Sequence, residues 1–315
     1  MPRSPETDHD WIVHSVNIHG IFFERWCQLV ISETPGWSVD AVNYPVEFPP
    51  PNGPIRGKET TLDIRASTKD GDQKLSLLVE CKKNNPEFIN WIFFRKPASG
   101  SNHAFNIPQV ENKLREPPGT GWSTNSSIVN FHSDYAVADE ARETRADYLS
   151  YKGGSKTKTS NAAIHDAAYQ VALATQAIVS EDQRVSNTIG FGGASPPMPW
   201  RTKLYLPTIL TTARLFLCDF NAQDVDPSSG EIPFDKVKIT QSPQLVFEYP
   251  LPRHLQFGPA VLAPAFREGF VDQFTRMHVL VVPKSTLERS AHRIPRRCPT
   301  QTVGFFLTRG RLTCA

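Results

Sequence analysis

The chain has 315 residues, 39% hydrophobic and 21% charged, with a formal net charge of +2, which is the composition of a folded globular protein and excludes wholesale disorder. Five cysteines, Cys27, Cys81, Cys218, Cys298 and Cys314, are odd in number and form no CxxC pair, which argues against a disulfide framework and a zinc knuckle and points to a reducing, cytoplasmic setting. The first ten residues carry Glu6, Asp8 and Asp10 without an apolar core, and the most apolar stretch, Leu204 to Cys218, is broken by Pro207 and Arg214, so the reading has neither a secretory leader nor a membrane span.

In chain order, Val13, Val16, Gly20, Phe23, Cys27 and Val30 recur at steps of three and four between Trp11 and Ser32, predicting one helix that lays a single stripe on a core. Glu33 to Gly36 ends it. Trp37 to Phe48 reads as extended, and the run Pro49 to Pro54 reads as a loop. Thr60 to Ser67 and Lys74 to Lys82 have strand character and flank the turn-forming Lys69-Asp70-Gly71-Asp72, which predicts a β-hairpin. Asn84 to Thr159 is rich in Asn, Ser, Gly and Pro, with a polar helical patch at Ala136 to Leu149, and reads as an insertion. An Ala-rich helix begins near Ser160. Strands follow in Lys203 to Phe220, Gln244 to Tyr249 and His278 to Val282. The fold class expected is α/β (α+β): a discontinuous core, 1–83 with 160–285, a long insertion at 84–159 and a basic C-terminal tail at 286–315.

The residues that carry chemistry lie on the hairpin. A tight turn centred between Gly71 and Asp72 sets Asp63 opposite Glu80, and strand alternation adds Lys82 to the same face, with Leu62, Ile64, Leu77, Val79 and Cys81 on the other. Two opposed carboxylates repel by up to roughly 1 kcal/mol unless a positive charge lies between them. Mg²⁺ or Mn²⁺ would supply that charge, held by Asp63, Glu80 and the backbone carbonyl of Cys81, with Lys82 orienting water and phosphate. The chemistry inferred is phosphodiester hydrolysis.

Asp63 followed by Glu80-Cys81-Lys82 at the end of an apolar strand resembles the PD-(D/E)xK, or restriction-endonuclease-like, nuclease superfamily. Leu62 stands where the name-giving proline would be. The resemblance implies a central mixed sheet flanked by helices and a metal-dependent endonuclease acting on DNA. It implies an acidic residue on the preceding helix that joins the metal site as part of the catalytic set with Asp63, Glu80 and Lys82, which falls on Glu24, with Glu33 the weaker match. It also implies a glutamine on the following helix, which falls on Gln170 ahead of His165 and Gln176. By analogy alone, it suggests prokaryotic restriction or antiviral defence.

Lys152, Lys156 and Lys158 stand just before the Ala-rich helix, where backbone phosphate would meet its positive end; a solvated loop explains them equally well. Arg289, Arg293, Arg296, Arg297, Arg309 and Arg311 interleave with Phe305 and Phe306, a pattern of nucleic-acid or partner contact or of a plain tail. His9, His14 and His19 are five apart and do not stack as ligands. The expected partner is nucleic acid, DNA first, with no membrane, and specificity from a second copy, the insertion, the tail or another subunit. The competing reading is a nuclease-fold module that binds or assembles without cleaving.

Overall fold

A computed structural model describes residues 8–18, 20–48, 58–85, 88–96, 104–114, 122–132, 135–144, 162–189, 201–255 and 275–291. The chain is mixed α/β. Its helices are α1 (Asp8–Ile18), α2 (Ile21–Glu33), α3 (Ala162–Ile189) and α4 (Lys284–Ala291). Its strands are β1 (Ser38–Phe48), β2 (Lys58–Asp70), β3 (Gln73–Lys82), β4 (Asn90–Arg95), β5 (Ala104–Leu114), β6 (Trp122–His132), β7 (Val137–Thr144), β8 (Thr202–Thr211), β9 (Arg214–Asp219), β10 (Lys238–Gln241), β11 (Leu245–Pro250) and β12 (Arg276–Pro283). One sheet takes ten of them in the order β1-β2-β3-β8-β12-β11-β7-β4-β9-β10, and β5, paired with β6, joins it on β8. The sheet is mixed: β2 and β3 are antiparallel, whereas β3 and β8, and β8 and β12, are parallel.

Alternate residues of β3 feed two apolar layers. Leu78 packs with Tyr205, Ile209 and the inner face of α3, including Ala167, Val171, Ala174 and Ile178. Leu77, Val79 and Cys81 pack with Phe23, Cys27 and Ile31 of α2 and with Leu280 and Leu287. A strand covered on both faces must be apolar almost throughout, which places any carboxylate on β3 deep in the molecule.

Four expectations change. The first helix is two helices, because Gly20 adopts a left-handed φ of 81°; α2 carries the buried stripe, and Val13 on α1 is exposed. The helical patch at Ala136 to Leu149 contains strand β7 instead. The stretch read as an insertion, 84–159, supplies β4 to β7 to this same sheet. Leu62 packs in the α3 layer while Ile64 packs in the α2 layer, so the alternation breaks at Asp63. Across from that break, Asn43 on β1 has φ 48° and falls between the paired steps Val42 with Ile64 and Tyr44 with Leu62; Asn is among the few residues that tolerate this backbone. The loop expected at 49–54 and the cap near Ser160 lie outside the described residues, as do Lys152, Lys156, Lys158 and all of the basic tail beyond 291.

The start of α3 is held by Glu143 of β7, whose Oε1 accepts the N–H of Ala163 at 2.8 Å and of Ile164 at 3.3 Å. A buried carboxylate at a helix start answers both the unpaired N–H groups and the helix dipole. Glu143→Ala is expected to lower unfolding free energy by about 1–2 kcal/mol, read as a shifted urea midpoint at unchanged slope, while Glu143→Gln, which keeps an acceptor oxygen, loses less.

Candidate metal centre

The β2–β3 ladder runs from the turn at Asp70 and Gln73 to Ile64 and Val79. One step further the register sets Asp63 against Glu80, and there the strands part: β2 continues along β1 as far as Lys58, and β3 along β8 as far as Lys82 with Thr211. At this point Asp63 Oδ2 accepts the backbone N–H of Cys81 at 2.7 Å. The side chain replaces a lost ladder acceptor and is thereby fixed towards β3.

Glu80 is 6% exposed, and its Oε2 is buried without a hydrogen-bond partner in the structure. Burial, and then the neighbouring Asp63, push its carboxyl up to about 9, against the pull of Lys82. Burial likewise pushes Asp63 up to about 6, opposed by the Cys81 N–H and Lys82 and reinforced by Glu24. Without a cation, Glu80 is therefore protonated near neutral pH and Asp63 is mostly ionised. Lys82 is half-buried, following Glu80 by two.

Glu24 arrives from α2. Gly20 sits against the end of β3, where a Cβ would find ordinary contact distances of 3.4 Å to Lys83 Cβ and 3.8 Å to Glu24 Oε1, so it is its φ of 81° that calls for glycine. Lys83 Nζ donates to the carbonyl of Asn17, tying the α1–α2 joint to the strand end. One turn beyond Glu24, the thiols of Cys27 and Cys81 are hydrogen-bonded within the core. Half-buried Glu24 is pushed up by burial, against Arg25, and its field reaches both Asp63 and Glu80. The structure thus brings together Glu24, Asp63, Glu80 and Lys82. Glu33 is exposed at the far end of α2. Lys83, Gly20 and Asn43 were not anticipated as supports. The only sequence hints were a glycine inside a helical period and an Asn inside an extended run.

On α3, Gln170 Oε1, Gln176 Nε2 and His165 Nε2 are buried without partners in the structure. Gln170 lies three turns before Glu181, on the same helical stripe. Glu181 accepts the Tyr44 hydroxyl at 3.1 Å, so the far end of that stripe lies over β1, while Gln170 stands about 16 Å back along the helix axis at about 1.5 Å per residue. His165 and Gln176 lie round the other side of the helix; His165 stands edge-on to Phe247 and Tyr249.

An orphaned buried carboxylate oxygen next to a second carboxylate suits a hard divalent cation, which takes oxygen ligands and completes its shell with water, phosphate or a backbone carbonyl. Among the described residues, no set of three or more His, Cys, Asp or Glu side chains is placed to hold a metal ion by itself, so a cation held here would need ligands besides the two carboxylates. Comparison with protein-family models, with curated proteins and with solved structures finds no match. Among the described residues no helix is long and apolar enough to cross a membrane.

Both carboxyl groups have folded values above their ordinary 3.8 and 4.5. Their contribution to stability is complete below those ordinary values and is lost as pH rises through about 6 for Asp63 and about 9 for Glu80. In metal-free buffer, Glu80→Gln is therefore expected to gain stability over wild type progressively between about pH 5 and pH 9; a thermal-unfolding series in which the difference stays flat would remove Glu80 from this account.

Proposed function

We propose that the chain is a metal-dependent nuclease with a restriction-endonuclease-like core, hydrolysing phosphodiester bonds of DNA. The observation that carries this reading is the pairing of a buried, partnerless Glu80 oxygen with Asp63, at the point where β2 and β3 part, with Lys82 on the next same-face position of β3.

Asp63 and Glu80 would hold Mg²⁺ or Mn²⁺, assisted by the carbonyl of Cys81. When bound, the cation stabilises charge on phosphate oxygens and makes a water acidic enough to attack at neutral pH. Asp63 is oriented for this by the Cys81 N–H. Glu80 must give up its proton, so cation affinity rises with pH. Lys82 points its ammonium at a non-bridging phosphate oxygen and at the attacking water. Glu24 accepts a hydrogen bond from that water and aligns it. The water oxygen bonds to phosphorus as one of its protons passes to solvent, the phosphorus–oxygen bond to the leaving strand breaks and that oxygen takes a proton from solvent, and the apolar floor of Leu78 and Leu62 keeps bulk water from the buried side. A role in restriction or antiviral defence is the biological context this reading carries, by analogy alone.

Supercoiled plasmid incubated with Mg²⁺ or Mn²⁺ is expected to be nicked. Asp63→Ala and Lys82→Ala should lower the rate by about 100-fold or more. Equal nicking by wild type and variants would refute the assignment, and binding without cleavage by wild type would favour the silent module. Glu24→Gln is expected to cost about 10-fold, a supporting rather than ligating role. Calorimetry in two buffers of different ionisation enthalpy should show protons released on Mn²⁺ binding near pH 7, and Glu80→Gln should abolish most of that release.

A further inference from the structure

Apart from the cation site, the most conspicuous unexplained surface is the α1–α2 pair. Of the nine exposed large hydrophobic side chains among the described residues, six lie here: Trp11, Ile12, Val13, Ile21, Phe22 and Leu29. Trp11 is 57% and Ile12 63% exposed. From His9 to Asn17 every side chain of α1 is exposed except half-buried Val16, so this part of α1 lies on no core formed by the described residues. An 11-residue helix is marginal in water unless one of its faces is covered. On α2, the buried stripe of Phe23, Cys27 and Ile31 faces the sheet, which leaves Phe22, Arg25 and Leu29 as an outward stripe.

The chemistry of this surface narrows its partner. The segment Asp8–Ile18 contains two aspartates and neither Lys nor Arg, so an anionic lipid surface or a nucleic-acid backbone gains no attraction there. The partner is a protein surface of like apolar character. Burying the six side chains would remove roughly 500–600 Å² from one copy, at about 150–250 Å² for a whole aromatic side chain. A standard interface needs about 800 Å² per partner, which the intervening polar and backbone surface of two helices brings within reach. Two-fold dimers are the commonest way for a chain to cover a patch of this kind.

We propose that the α1–α2 surface is a homodimer interface, in which two helical pairs form a four-helix layer with Trp11, Ile12, Phe22 and Leu29 at its centre. Glu24 and the Lys83 tie lie on these same helices or their joint, so the layer would set two candidate sites on one assembly. The inference does not depend on cleavage and is tested without DNA or metal. Sedimentation at about 1–100 μM should give twice the chain mass of 35.3 kDa. The double variant Trp11→Glu with Ile12→Glu, and separately Phe22→Glu, should sediment as monomers that keep a cooperative unfolding transition and lose at most the far-ultraviolet helix signal of the 11 residues of α1, because none of these side chains is buried among the described residues. Phe234→Ser, at an exposed aromatic on a different surface, should leave the dimer intact. A wild-type monomer throughout that range, or a dimer that survives both sets of glutamate substitutions, overturns the proposal.

Discussion

Strand β3 is covered on both faces, and the rest of the site follows from placing a carboxylate there. Leu75, Leu77, Leu78 and Val79 are all buried, and Glu80 comes next in the same environment with no hydrogen-bond partner for Oε2. Charge in such surroundings is expensive unless paired. Asp63 across the strand gap makes it more so, and Lys82 offsets only part of the effect. The fold has two ways to relieve this: a proton on Glu80, or a divalent cation shared by both carboxylates. The first suffices without a cation; under the proposed function the second would be the state that does chemistry, and cation binding and folding stability would then be linked through the same two groups.

The second layer of the site is set by backbone. Had Gly20 carried a side chain, the start of α2 could not lie against Lys83 without strain at φ 81°. Glu24 itself is held against β3 by the buried stripe of α2, Phe23, Cys27 and Ile31. The bend at Gly20 and the Cys27–Cys81 thiol contact together lock the helix one turn on either side of Glu24. This is how an acid from a helix is brought into the field of two acids on strands. The same bend leaves α1 projecting from the body, which makes its apolar surface available to another molecule.

The hairpin was legible because its signals are local: Gly71 at φ 58° closes a turn whose position fixes which residues face each other. Helix α3 was legible from its small, apolar repeat. What the sequence hid were places where an irregularity imitates the wrong period. In β7, buried Ala138, Ala141 and Glu143 begin with a step of three, a helical spacing. It arises because Asp139 is an extra residue: Phe94 pairs with Glu140 and Arg95 with Ala138. Such a bulge shifts the inward positions by one and erases alternation. The break at Gly20 was hidden the opposite way, since steps of three and four continue across it. Leu62 changes layer next to the left-handed Asn43 of the neighbouring strand, a position that alternation within β2 does not announce. The carboxylate pair could be read from the sequence; the layer that supports it depended on contacts between segments far apart in the chain.

Precision at Lys82 comes from where β3 ends. Thr212 N–H donates to the Lys82 carbonyl at 3.2 Å, and the Thr212 hydroxyl accepts the N–H of Asn84 at 2.8 Å. Asn84 is itself held, accepting Trp91 Nε1–H at 3.1 Å and donating to the Phe88 carbonyl. The backbone is therefore clamped on the residue that bears the ammonium and again two residues later, on a side chain buried in the core. A lysine on a frayed strand end would sample many positions and lose most of its directing effect. Here the flexible portion is confined to the side chain, and its root is as rigid as the parallel β3–β8 pairing beneath it. Under the proposed function, that rigidity would let one ammonium serve two directed tasks, holding a phosphate oxygen and aligning a water, from a position only half open to solvent.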